Sequence, residues 1–169
     1  MALPAKLKHF NIFNDAHSYM GEAAEITLPK LTHVTEEWRA GGMDIPVEVV
    51  LGQEALNLEW KIGGYNTQVF KQFGLEKIDG TILRFTGALQ NDDTGEVKSV
   101  EVVMRGRHKE MDTGSASAGD DTEMNIVTAL TYYKLSIDGE DLIEIDALNM
   151  IQKINGVDKL EKHRQALGI

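Results

Sequence analysis

Leu56-Asn57-Leu58-Glu59-Trp60-Lys61-Ile62 sets an apolar side chain at every second position and then stops at Gly63-Gly64. A period of two places Leu56, Leu58, Trp60 and Ile62 on one face of a strand and leaves Asn57, Glu59 and Lys61 on the other. The same alternation recurs downstream. Leu83, Phe85, Gly87 and Leu89 predict a strand over Leu83–Leu89, and Val100, Val102 and Met104 predict another over Val97–Met104, with the Asn91–Gly95 cluster as the loop between them. An extended stretch from Met124 to Leu135 leads into Asp138-Gly139, a strong hairpin signal, and Leu142–Ile145 returns from it. His9–Phe13 and Ala24–Leu28 read as two shorter strands.

Two short helices interrupt this pattern. Tyr65, Val69, Phe70 and Phe73 recur at helical spacing, and Gly74 is placed as a C-terminal stop. In the tail, Asp158 and Glu161 have the spacing of a capping box, Leu160 and Leu167 supply an apolar stripe, and Gly168 ends the helix. Both are too short to stand alone and should pack on a sheet. The sequence therefore predicts a mainly β chain with two short packed helices.

The remaining segments are loops of two kinds. Residues 112–122 are polar, acidic and rich in small side chains, as a flexible surface loop is. Residues 32–47 are different, because a solvated loop has no use for Trp38, Met43 and Ile45. Gly41-Gly42 permits a tight turn and Pro46 blocks regular ladder pairing. This stretch either folds back on its own core or projects as an arm into another molecule.

Composition narrows the function. The chain has 169 residues, enough for one domain spanning 1–169, with 17 Lys and Arg, 27 Asp and Glu, a net charge of −10 and no cysteine. Disulfides, thiolate metal sites and cysteine nucleophiles are excluded, and a broad basic footprint for DNA or anionic lipid is disfavoured. No run approaches the ~18 apolar residues of a membrane helix. Met1–Lys8 has no apolar segment behind its lysines, so no secretory signal and a cytoplasmic start are expected. His9, His17, His33, His108 and His163 are scattered, and no serine has a nucleophile-elbow context. Glu36-Glu37, Asp92-Asp93 and Asp120-Asp121 are adjacent residues that point apart on a strand or sit in loops. No catalytic, metal or cofactor residue is assigned. Two non-enzymatic readings remain, a ligand-binding β-module and a subunit of an assembly; unpaired edge strands favour assembly.

Specific strings sharpen that choice. Thr27-Leu28-Pro29-Lys30-Leu31 and Arg39-Ala40-Gly41-Gly42-Met43-Asp44-Ile45-Pro46-Val47 resemble the major tail tube proteins of contractile-tailed phages and R-type pyocins. So do Phe73-Gly74-Leu75, Leu83-Arg84-Phe85, Tyr132-Tyr133-Lys134-Leu135, Ile145-Asp146 and Ile154-Asn155-Gly156-Val157-Asp158, in an order that holds from about Phe10 to Leu167. The resemblance implies a β-sandwich or half-barrel protomer without catalytic activity. Six copies form a ring, and rings stack helically into a hollow tube driven through the target envelope when the sheath contracts. The implied partners are further copies, the sheath, a baseplate tube initiator, a terminator and a tape-measure protein in the lumen, with DNA passing through in a phage. Neither nucleic acid nor membrane is held stably. The implied location is the tail or pyocin particle, assembled in the bacterial cytoplasm.

Under this reading the polar faces of the alternating strands, including Glu59, Arg84 and Glu101, should line the lumen. The arm residues Trp38, Arg39, Gly41, Gly42, Met43, Asp44 and Ile45 should meet a neighbouring subunit. The rival reading is a monomeric β-sandwich module for carbohydrate or protein. It would need aromatics on loops, whereas Trp60, Phe85, Tyr132 and Tyr133 fall in strands. A small hydrolase or lyase is the weakest alternative.

Overall fold

A computed structural model describes residues 1–169. In chain order the elements are β1 (Lys6–Asn14), β2 (His17–Ser18), β3 (Ala23–Thr27), β4 (His33–Trp38), β5 (Val47–Gln53), β6 (Leu56–Gly63) and α1 (Thr67–Gln72). They continue as β7 (Thr81–Gln90), β8 (Val97–Asp112), β9 (Glu123–Ile137), β10 (Glu140–Asp146), β11 (Ile151–Ile154), β12 (Val157–Asp158) and α2 (Glu161–Leu167). All pairings are antiparallel.

The long β8–β9 hairpin is the spine. The first half of β9 lies between β8 and β6, from Gly63↔Glu123 to Leu56↔Leu130, and its second half lies between β8 and β10. The change of neighbour coincides with a register shift between Arg105 and Gly106. There the backbones approach so closely that a Cβ on Gly106 would sit 2.0 Å from the Ala129 carbonyl oxygen. Bulges bend strands and add twist, and a glycine permits the approach.

The bend divides the sheet into two walls. The first comprises β3, β6, the first half of β9 and the second half of β8; the second comprises β2, β1, β7 and the remaining halves, extended by β10, β11 and β12. Leu58, Trp60, Ile62, Met124 and Ile126 from the first wall meet Ile12, Leu83, Phe85, Val102 and Met104 from the second in one buried cluster. Val69 of α1 joins that cluster, and Tyr19, just after β2, lies 5.7 Å from the Trp60 ring. The result is a half-barrel, closed on one side by the chain between β2 and β3.

The alternating stretches all become strands, and most run longer than their apolar residues indicate. The main differences lie elsewhere. Residues 32–47 are a loop only in part: β4 and β5 make a two-stranded hairpin, and residues 39–46, with Pro46 just outside the ladder, form its tip. The helix α1 stops at Gln72 with Phe73 as its cap, and Gly74 is not left-handed. Its start is capped by Asn66, whose side chain accepts from the Val69 amide.

At α2 the expected capping box does not form. Asp158 sits in β12, where its carboxylate accepts from the Leu160 amide and pairs with Arg164 at 2.6 Å. Arg164 also donates to the Met150 carbonyl, so an ion pair holds α2 on β11 where an apolar stripe was expected. Gly168 does end the helix, at φ 75°.

Candidate functional site

Four of the buried polar side chains, Asn14, Gln72, His108 and Thr128, form one network. Gln72 on α1 exchanges two amide hydrogen bonds with Asn14 on β1, 2.6 and 2.8 Å, and its Oε1 also accepts from His108 Nε2 at 3.1 Å. His108 Nδ1 lies 2.9 Å from Thr128 Oγ1, which accepts from Trp60 Nε1 at 3.2 Å. Each contact is consistent with a neutral imidazole carrying its proton on Nε2. Burial pushes the His108 pKa down to about 4. The network ties α1 to both walls, and none of its members faces an opening as an acid or base would. No three His, Asp or Glu side chains converge in a metal-binding arrangement. The sequence set His108 only among scattered histidines, and its partners lie 20 and 36 residues away and leave no local trace.

The surfaces left unsatisfied are of another kind. The first wall has two free edges. β3 bonds only to β6, and residues 107–112 of β8 bond only to β9. Its outer face carries Glu25, Glu59, Glu110 and Asp112 around a shallow depression of about 330 Å³, with Glu123 beside Lys61. The one cation among them, Lys61, lies 3.3 Å from Glu123 and 4.0 Å from Glu25. Arg107, at the bend, turns to the Glu76 carbonyl.

The second wall's outer face is balanced. Arg84 pairs with Glu101 at 3.3 Å and lies over the Phe13 ring at 4.3 Å. Arg105 stacks on Tyr132, whose hydroxyl donates to Glu144, and Lys134 pairs with Asp141. Burial raises the Tyr132 pKa, and the Ser136 hydroxyl bond lowers that of Asp141. Glu59 is thus on one wall, and Arg84 with Glu101 on the other. Because the walls face each other across a shared core, these outer faces point away from one another.

The third surface is the β4–β5 hairpin, exposed along nearly its whole length. Trp38 stands opposite Val47 and Glu36 opposite Val49, so one face presents Trp38, Val47 and Val49 to solvent. On the other face Glu37 stands directly opposite Glu48, a like-charge pair that disfavours the isolated hairpin. At the tip, Arg39 Nε donates to the Met43 carbonyl and the Met43 amide bonds back to Ala40. Gly42 has φ 86°, whereas Gly41 has no positive φ. Ile45 is 72% exposed, and Asp44 has no partner within the protomer. Sequence reasoning marked the arm residues but missed the strands that carry them, since Val47-Glu48-Val49-Val50-Leu51 breaks alternation at its end.

Comparisons with known proteins agree with one another. The profile of the family described as phage tail tube protein FII matches residues 4–168. The tail tube protein of Escherichia phage P2 is 47% identical over 172 residues, covering 100% of both chains. The major tail tube protein of Serratia phage KSP20 is 40% identical over 158 residues, 92% of this chain and 91% of that one. Among solved structures, a chain of the PVC sheath–tube complex, an extracellular contractile injection system in its extended state, superposes with a TM-score of 0.60. It shares 13% identity and covers 79% of this chain and 91% of its own. A chain of the anti-feeding prophage tube-terminating cap gives 0.59 at 13% identity, covering 80% and 93%. At such identities the likeness is one of fold.

Proposed function

The chain belongs to the phage tail tube protein FII family, a structural subunit of the virion tail, and from that premise we propose that its first wall lines the tube. Six copies pair edge to edge through β3 and the second half of β8, so that four strands from each join one continuous barrel. The observation that carries this is the pair of free edges. β3, β6, β9 and β8 alternate in direction, so β3 of one copy meets β8 of the next antiparallel, and any number of copies closes without a mismatch.

Glu59 then faces the lumen with Glu25, Glu110, Asp112 and Glu123. Such a wall, its Lys61 already paired with Glu123, offers phosphate oxygens few counterion-releasing contacts and lets DNA pass without adhesion. Arg84 and Glu101, expected beside Glu59, belong instead to the outward wall, where their mutual pairing suits a protein interface. The hairpin acts as an arm between subunits. Trp38, Val47 and Val49 supply apolar area, while Arg39 and Asp44 fix its orientation. The role is mechanical, with no chemical step, and the nucleic acid passes without being held. The further partners are the sheath outside, an initiator at the baseplate, a terminator at the far end and a tape-measure protein within. Assembly takes place in the host cytoplasm.

Electron cryomicroscopy of tubes grown from the purified chain tests this. The expected map has sixfold rings with Glu59 on the channel and Arg84 away from it. A strictly monomeric particle at high concentration, or Glu59 on the outer surface, overturns the reading.

A further inference from the structure

A groove of about 450 Å³ lies at the foot of the β4–β5 hairpin, between that foot, the β10–β11 corner and α2. Its lining is largely apolar and includes Leu51, Leu56, Leu130, Ile145, Met150 and Leu160. One polar group in it is unsatisfied. Gln53 Oε1 accepts from Gln152 Nε2 at 3.3 Å, but Gln53 Nε2 is buried and has no acceptor. Buried donors are ordinarily paired, so this amide marks the position of an acceptor that the protomer does not supply.

We propose that the groove is the seat for the hairpin tip of a second copy of this chain. The inference rests on the arm reading above and names the surface that receives the arm. The tip offers what the groove lacks: Ile45 as an exposed apolar anchor, and the unpaired Asp44 carboxylate as the acceptor for Gln53. A protomer cannot fill its own groove, because the ladder from His33↔Gln53 to Trp38↔Val47 holds tip and foot at opposite ends of the hairpin. The contact is therefore head-to-tail, and each copy both donates a tip and presents a seat.

The six residues of β4 and the turn beyond them extend roughly 25 Å at about 3.3 Å per strand residue, which sets the distance between the foot of one copy and the seat its tip can reach.

The absence of cysteine makes the test clean. Ile45→Cys and Ala147→Cys are made as separate chains, and Ala147 is an exposed residue of the groove. The two are co-assembled into tubes and treated with a short bis-maleimide. Covalent dimers are expected from the mixture and from neither chain alone; tubes that assemble normally and give no dimer overturn the proposal. In a second experiment Ala147→Trp fills the groove. The expected protomer keeps its melting temperature and forms no tubes, whereas normal tubes overturn the proposal. Should this variant fail to fold, the cross-linking result stands alone. Deleting the tip, residues 40–45, separates the two readings. Tubes from the deletion reject the arm itself, whereas tubes that need the tip but tolerate Ala147→Trp reject only the seat.

Discussion

The two tryptophans stand in similar local sequence and opposite surroundings. Trp60 lies in a strand whose apolar positions are all buried; it is 3% exposed and its indole N–H donates to Thr128. Trp38 ends a strand whose cross-strand partner is Val47, yet it is 61% exposed. The difference separates two tasks. Trp60 contributes to the fold of one copy, whereas Trp38 is exposed apolar area that the proposed arm would bring to another. A subunit of a polymer needs both kinds, because a core stabilises the protomer while only exposed area can drive association.

Four outcomes break or sharpen that contrast, in falling order of effect on the unassembled protomer. Trp60→Ala should cost about 3–5 kcal/mol in urea unfolding, combining lost burial with loss of the indole hydrogen bond to Thr128. A loss below about 1 kcal/mol, as surface substitutions give, would remove the distinction.

His108 comes next, because its burial is linked to pH. Its folded pKa of about 4 lies below the ordinary 6.5, so the unfolded chain binds the extra proton first as pH falls. Stability should therefore be fully present above about 6.5 and fall by up to about 3 kcal/mol by pH 4. His108→Gln should flatten that part of the profile in thermal melts; a slope unchanged in the variant assigns the acid sensitivity elsewhere.

Gly106→Ala should cost about 1–3 kcal/mol or more, since its methyl group meets the Ala129 carbonyl and the bend between the walls must open. Hydrogen exchange at Arg105–His108 should rise with it. A neutral substitution would show that the bend does not depend on this close approach.

Trp38→Ala should change protomer stability by less than about 0.5 kcal/mol, the range of an exposed position, while tube yield in sedimentation collapses. A destabilised protomer with normal tubes would reverse the roles of the two tryptophans.

The alternation at 56–62 and 83–89, the extended stretch at 124–135 and the Asp138-Gly139 turn were legible because a strand's residue pattern and a left-handed turn are local properties. Asp138 and Gly139 do adopt φ 50° and 79°. Asn155-Gly156 carries the same signal, φ 51° and 78°, and makes the tight β11–β12 hairpin that sequence reading quoted only for its resemblance. The hairpin was legible as apolar residues in the wrong company, but its two strands were not. Its pairing has no buried face, so the pattern that reveals strands elsewhere is absent.

By itself, then, the sequence determined the β class, most strand positions and, through its strings, the family, because each is written in neighbouring residues. Only the tertiary structure decided where β8 and β9 bend, which strands keep free edges and which outer face each charge occupies. Glu59, Arg84 and Glu101 all sit at polar positions of alternating strands, and alternation tells inside from outside within one wall. It carries no information about which wall a strand joins. That follows from the Gly106 bend, which turns one face of a continuous sheet into two faces pointing apart.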